Sequence, residues 1–268
     1  MMRALWSAAS GMLAQQLNVD VIANNLANVN TTGYKKSRVE FKDLLYETLM
    51  RPDVHQPGQG NPVGLQVGHG VRPSSTTRVF TTGNLQQTGN TFDLAIDGEG
   101  FFVVERPDGS RAFTRDGSFK LSMEGNERYL VTSEGYYVLD EDEDYISIPV
   151  DLTDISISAD GTITGKDESG NIVEIATIAI AKFLNPEGLL AVGNNLFEQT
   201  EASGEYHLKQ DRDEPGFGNI LQGFLEMSNV QVVEEMVNLI VAQRAYEINT
   251  KAIQVADEML GEANNIRR

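Results

Sequence analysis

The sequence predicts an α+β protein in which long N- and C-terminal helices pair as a coiled-coil-like domain, with an antiparallel all-β domain inserted between them. Three observations carry this. All eight prolines lie between Pro52 and Pro215, and 21 of the 25 glycines lie between Gly58 and Gly218. Both ends carry apolar residues at helical spacing, and the middle carries turn signals about every ten residues.

The first element is a helix over residues 3–29. Leu5, Ala9, Met12, Val19, Ala23 and Leu26 recur at steps of three, four or seven, with one glycine, Gly11, and no proline. The turn formers from Asn28 to Thr32 end it, and Gly33 can supply the left-handed closing conformation. Such a helix is about 40 Å long at 1.5 Å per residue. Arg3 followed by Ala4–Ala14 imitates a secretion signal. Ser7, Ser10 and Gly11 interrupt it and the helical period runs past Asn18, so no cleavage is expected.

Residues 43–84 follow as an extended linker after an N-terminal helix and hairpin over 1–42. Between 51 and 84 lie Pro52, Pro57, Pro62, Pro73 and five glycines before Gly83, a stretch too poor in core residues to be an ordinary connection. It is expected to order by lying against something else. The β domain is expected over 85–218. Asp97-Gly98, Asp108-Gly109, Asp116-Gly117, Gly125-Asn126, Glu134-Gly135, Asp160-Gly161 and Gly170-Asn171 separate short runs rich in Val, Ile, Phe, Tyr and Thr. Strands are predicted at 92–96, 101–105, 118–121, 145–148 and 172–182, the last with one irregularity.

The C-terminal helix is expected within 219–268, where no proline or glycine interrupts Leu225 to Leu260. Two apolar series run along it. One is Val230, Val233, Val237, Val241, Ala245, Ile248, Ala252, Val255 and Met259. The other, Val232, Met236, Leu239, Tyr246, Ile253 and Leu260, lies about 200° round the helix at 100° per residue. Two nearly opposite apolar faces need two sets of neighbours, and the chain has only one other long helix. The remaining cover is expected from other subunits, with both ends poorly ordered in an isolated chain. The expected assembly surface comprises these residues, Ala245 and Ala252 excepted, with Leu5, Met12, Val19 and Leu26.

Composition narrows the chemistry. There is no cysteine, hence no disulfide framework and no thiolate site. No stretch approaches the roughly 20 apolar residues of a membrane span. A net charge of −18, from 21 Lys and Arg against 39 Asp and Glu, opposes binding to nucleic acid. His55, His69 and His207 stand apart, without metal-ligand spacing. Gly64, Gly68 and Gly70 do not open a phosphate-binding loop. The run Asp140 to Asp144 has calcium-loop spacing at its first positions. However, Tyr145 stands where glycine is needed and Asp151 where a bidentate Glu is needed, so it reads as a hairpin tip, with weak divalent-ion binding the alternative. No cofactor, metal or catalytic residue is expected. A glycan-cleaving carboxylate pair is the competing enzymatic reading, although the acids lie beside Gly and Ser rather than among aromatics that would raise an acid's pKa.

Specific motifs point further. NVDVIANNLANVNTTGYK at 18–35, LEMSNV at 225–230 and AQRAYEIN at 242–249 resemble the terminal signatures of the bacterial flagellar rod and hook (axial) proteins. DGEGFF at 97–102 and TRDGSF at 114–119 resemble that family's β-domain signatures. The opening MMRALW, Asp43 to Tyr46, Gly64 to Gly68 and Gly70 to Pro73 are similar to its rod members in particular. The resemblance implies a non-enzymatic subunit that polymerises helically with further copies of itself into a stiff hollow shaft transmitting motor torque to the hook. The implied partners are proximal rod proteins, the hook protein, the surrounding basal-body rings and the type III export apparatus. The implied location is the basal body, in the rod that spans the periplasm, reached by export without a cleaved signal. By the same resemblance, Pro57, Pro62, Gly64 and Leu65 are expected to lie in the segment that distinguishes a stiff rod from a flexible hook. Another rod or hook subunit of the same family remains the nearest alternative.

Overall fold

The computed structural model describes residues 2–51, 63–125, 127–167, 169–209 and 216–266. The chain forms two compact units. One contains Met1–Ala27, Ser37–Arg78 and Gln231–Arg268; the other contains Asn28–Lys36 and Val79–Val230.

The helical unit is built on α1 (Met2–Ala27) and α2 (Val232–Ile266). Gly11 meets Asn249 and Asn25 meets Glu235, so the two helices run antiparallel. A methyl group on Gly11 would stand 2.8 Å from Asn249 Nδ2, so the Asn249 side chain would have to shift to admit one. Thr250 Oγ1 donates to Met12 Sδ at 3.4 Å one residue further on. Beside the helices, Ser37–Asp43 pairs antiparallel with Val71–Arg78, and Tyr46–Met50 with Leu65–Gly68. Asn25 joins α1 to this ribbon. Its amide donates to Ser37 O at 2.8 Å and its Oδ1 accepts from Ser37 N at 2.9 Å, as a neighbouring strand would. Gly70, at φ +111°, sits over Ser10, whose hydroxyl oxygen accepts from Val71 N at 3.3 Å.

Within 43–84, Tyr46–Met50, Leu65–Gly68 and Val71–Arg78 are therefore paired strands rather than an extended linker, whereas 79–84 form no helix or strand. Pro73 is compatible with the ribbon because it falls at the register shift opposite Phe41, where an N–H is dispensable. The expected positions Pro57 and Pro62, with His55, lie outside the described residues.

Every strand pair in the β unit is antiparallel. The main sheet centres on Phe101–Glu105, flanked by Arg111–Thr114 and Tyr137–Val138. This strand is buried on both faces. Phe102 and Val104 enter a core with Leu94, Ile148, Ile163 and Ile178. Phe101 and Val103 point the other way, into a core with Phe113, Phe183 and Phe197. The period of two thus serves two cores at once. At the turns, Gly109, Gly135, Gly161 and Gly170 take positive φ, the conformation that the Asp-Gly and related pairs anticipate.

Three expectations change here. The strand predicted over 172–182 is two, Ile172–Thr177 and Ile180–Phe183, and they belong to different sheets. The irregularity is the change of sheet. Residues 219–226 form strands Asn219–Gln222 and Phe224–Glu226, which pair with Leu94–Asp97 and Leu85–Gln87, so the C-terminal helix begins only at Val232. α1 ends at Ala27, and Gly33 closes the turn beyond it at φ +66°, donating its N–H to Glu226 O at 2.8 Å.

Candidate functional site

The chemically informative surface of the helical unit is α2. Its buried residues Glu235, Ala242 and Ala256 line up with half-buried Leu239, Asn249, Ile253 and Leu260 to form the seam toward α1. The seam is made of small, polar and medium-sized side chains. Apart from Ile253, the large β-branched residues are exposed: Val233 is 76% exposed, Val241 62% and Ile248 65%, with Val237, Val255 and Met259 also exposed. Of the two series read from the sequence, Leu239, Ile253 and Leu260 are therefore partly covered within the chain, while Val232, Met236 and Tyr246 keep substantial exposure.

Val230 departs from its expected place. It precedes α2, lies in the β unit and is buried, so it contributes no open helical surface. On α1, Leu5, Met12, Val19 and Leu26 are half-buried; Val19 lines a groove with Gln16, Gln243, Tyr246 and Glu247. The most exposed apolar residues of α1 were not in the expected set. Met2, Trp6 and Leu13 are exposed, and with Ala9 they recur at steps of four, three and four. That series was readable, as was Ile240 on α2. In the ribbon, Leu65 is exposed and Gly64 half-buried.

The described residues contain no group of three or more His, Asp or Glu able to hold a metal. Asp140 is occupied in turning its own loop, accepting from Asp142 N at 3.0 Å and Asp144 N at 2.8 Å. Glu143 holds Arg111 and Tyr206. His69 faces Glu47 at 3.9 Å and His207 is exposed.

A second constellation, inside the β unit, was not foreseen. Lys35, Arg115 and Glu226 are each 1–3% exposed at the side chain. Lys35 Nζ lies 2.5 Å from Glu226 Oε1 and donates to Thr81 O at 2.8 Å. Arg115 approaches Glu226 Oε2 at 3.3 Å and donates to Ile96 O and Gly98 O at 3.1 and 2.5 Å. Gly83 N donates to the same carboxylate at 2.8 Å. Two buried cations thus share one anion. Burial pulls the Lys35 pKa down to about 8, against the opposing pull of Glu226, and burial lowers that of Arg115 as well. Each residue comes from a different recognised motif, so stretches far apart in sequence converge on one charge cluster.

Comparison with known proteins matches the three stretches these residues come from. The family model described as "Flagella basal body rod protein" matches residues 5–35. The model for the "Flagellar hook protein FlgE/F/G D1 domain" matches 95–165, and "Flagellar basal body rod FlgEFG protein C-terminal" matches 221–266. The flagellar basal-body rod protein FlgG of Borreliella burgdorferi is 51% identical, covering 100% of both chains. The chain belongs to the flagellar basal-body rod protein family. Other relatives of that name are 46% identical in Agrobacterium fabrum, over 96% of this chain and 97% of the relative, and 45% identical in Caulobacter vibrioides, over 99% and 100%. In this rod-family chain, Lys35, Arg115 and Glu226 each fall within a different matched segment.

Proposed function

We propose that this chain is a structural, non-enzymatic subunit of the flagellar distal rod, polymerising helically into the hollow shaft that carries torque to the hook. The observation that carries the reading is the uncovered apolar face of α2, from Val233 to Met259, in a chain whose full-length relatives are named rod proteins. Fully burying one such side chain contributes about 1.5–3 kcal/mol, so a row of them outweighs the cost of ordering through repeated contact. In the polymer, α1 and α2 pair in a coiled-coil-like manner and the row is covered by neighbouring copies. The helices form the inner tube, the β domain stands outside, and the segment with Pro57, Pro62, Gly64 and Leu65 stiffens the contact between copies. Proximal rod proteins, the hook protein, the basal-body rings and the export apparatus are its partners in the periplasm-spanning rod, which it reaches without a cleaved signal.

Electron microscopy of the concentrated full-length chain tests this beside the variant Val237→Asp/Val241→Asp/Ile248→Asp. Straight tubes from the unaltered chain and none from the variant are expected. Equal tube formation by both would overturn the interface. Curved, flexible tubes would move the chain to the hook branch of the family.

A further inference from the structure

The sheet of the β unit carries a row of tyrosines with no part in its cores. Tyr129, Tyr137 and Tyr145 stack side by side. The first two rings meet edge to face at 5.7 Å, and the second and third lie 4.7 Å apart at an interplanar angle of 38°. Each hydroxyl is committed to a carboxylate: Tyr129 donates to Glu127 and Tyr137 to Glu124, both at 2.6 Å, and Tyr145 donates to Glu105 at 2.8 Å. These bonds raise the pKa of all three phenols. They also fix the carboxylates beside the rings. Among the described residues none of the three glutamates is paired with Lys or Arg, and Glu124, Glu127 and Tyr145 are exposed.

We propose that this tyrosine row is a docking surface for arginine side chains of a basic partner protein. Ring faces carry negative charge density and attract a cation placed over them. The adjoining carboxylates retain free lone pairs that can accept the fork of guanidinium donors, so a single Arg can stack and be chelated together. Arginine suits such a site better than lysine because its planar group stacks and bonds in one geometry. A second copy of the chain is a poor occupant, since at net charge −18 it brings the same excess of acid.

The test is titration of the full-length chain with an oligoarginine peptide, alongside a chito-oligosaccharide, which could also stack on tyrosine. Peptide binding is expected, weakened about two- to fivefold by Tyr137→Leu, a neutral change that removes one ring. Tyr137→Phe keeps the ring and is expected to retain binding, which separates loss of the site from loss of the fold. Tyr46→Leu, at an exposed tyrosine of the helical unit, is expected to change nothing. The proposal is overturned if Tyr137→Leu binds the peptide as tightly as the unaltered chain, because the attraction is then net charge alone. It is equally overturned if the oligosaccharide, and not the peptide, is the ligand that Tyr137→Leu releases.

Discussion

The β unit and α2 use the same apolar residue types in opposite ways. In Phe101–Glu105 four successive side chains are buried, two in each core, and the unit needs nothing further to satisfy them. In α2 the seam mixes Glu235, Asn249 and the alanines with half-buried Leu239, Ile253 and Leu260, while Val233, Val237, Val241, Ile248 and Val255 are exposed. Apolar side chains are buried within the unit in the first case and exposed on the single chain in the second.

The sharpest way to break the contrast is at the interior of the β unit. Glu226→Gln leaves Lys35 and Arg115 buried with no anion, and removing one partner from a buried ion cluster costs about 3–5 kcal/mol. Denaturant unfolding followed at the β unit's aromatic signals should register a loss of this order. A loss under 1 kcal/mol would mean that the cluster is less desolvated than its geometry indicates. Gly70→Ala probes the helical unit in the same way. At φ +111°, with Ser10 directly beneath, a methyl group should cost about 1–3 kcal/mol through backbone strain and displacement of the ribbon.

The buried lysine adds a pH dependence. Lys35 holds its proton less tightly in the folded chain, at a pKa of about 8 against 10.5. Between those values the unfolded chain binds more protons, so this residue makes stability rise with pH from about 8. Near pH 10 the tyrosines with raised pKa values begin to act in the opposite sense. Melting curves between pH 8 and 10 should show the rise in the unaltered chain and lose it in Lys35→Met. A rise that persists in the variant would assign it to another group.

Local pattern made much of this legible. The 3.6-residue period marked both helices, and the Asp-Gly spacing marked the antiparallel turns, because each signal is contained in a few neighbouring residues. What escaped depends on distant partners. Phe224–Glu226 looks helical on its own and becomes a strand because Leu85–Gln87 offers it an edge. Ile172–Lys182 reads as one strand until Asp140 bridges to Ile178 and Ile180 joins the central strand. Lys35, Arg115 and Glu226 stood inside recognised motifs, but as charged residues they look solvent-exposed until the other two are placed beside them. On α2 the two apolar series were visible, but which of them α1 would cover depended on the small residues Ala242 and Ala256 setting the seam.

The smallest expected effect on the single chain is the most informative about assembly. Val241 is 62% exposed, so Val241→Ser removes little buried surface and should shift the unfolding free energy of the isolated chain by no more than about 0.5 kcal/mol. If the face is covered by neighbouring copies, the same substitution deletes apolar contact in every subunit of a polymer, and the concentration needed for assembly should rise. The measurement is a pair: a melt of the dilute chain and a sedimentation assay across concentration. A stable monomer with a raised assembly threshold would show that Val241 belongs to the polymer. A destabilised monomer with an unchanged threshold would place its partner within the chain and dissolve the contrast between the two regions.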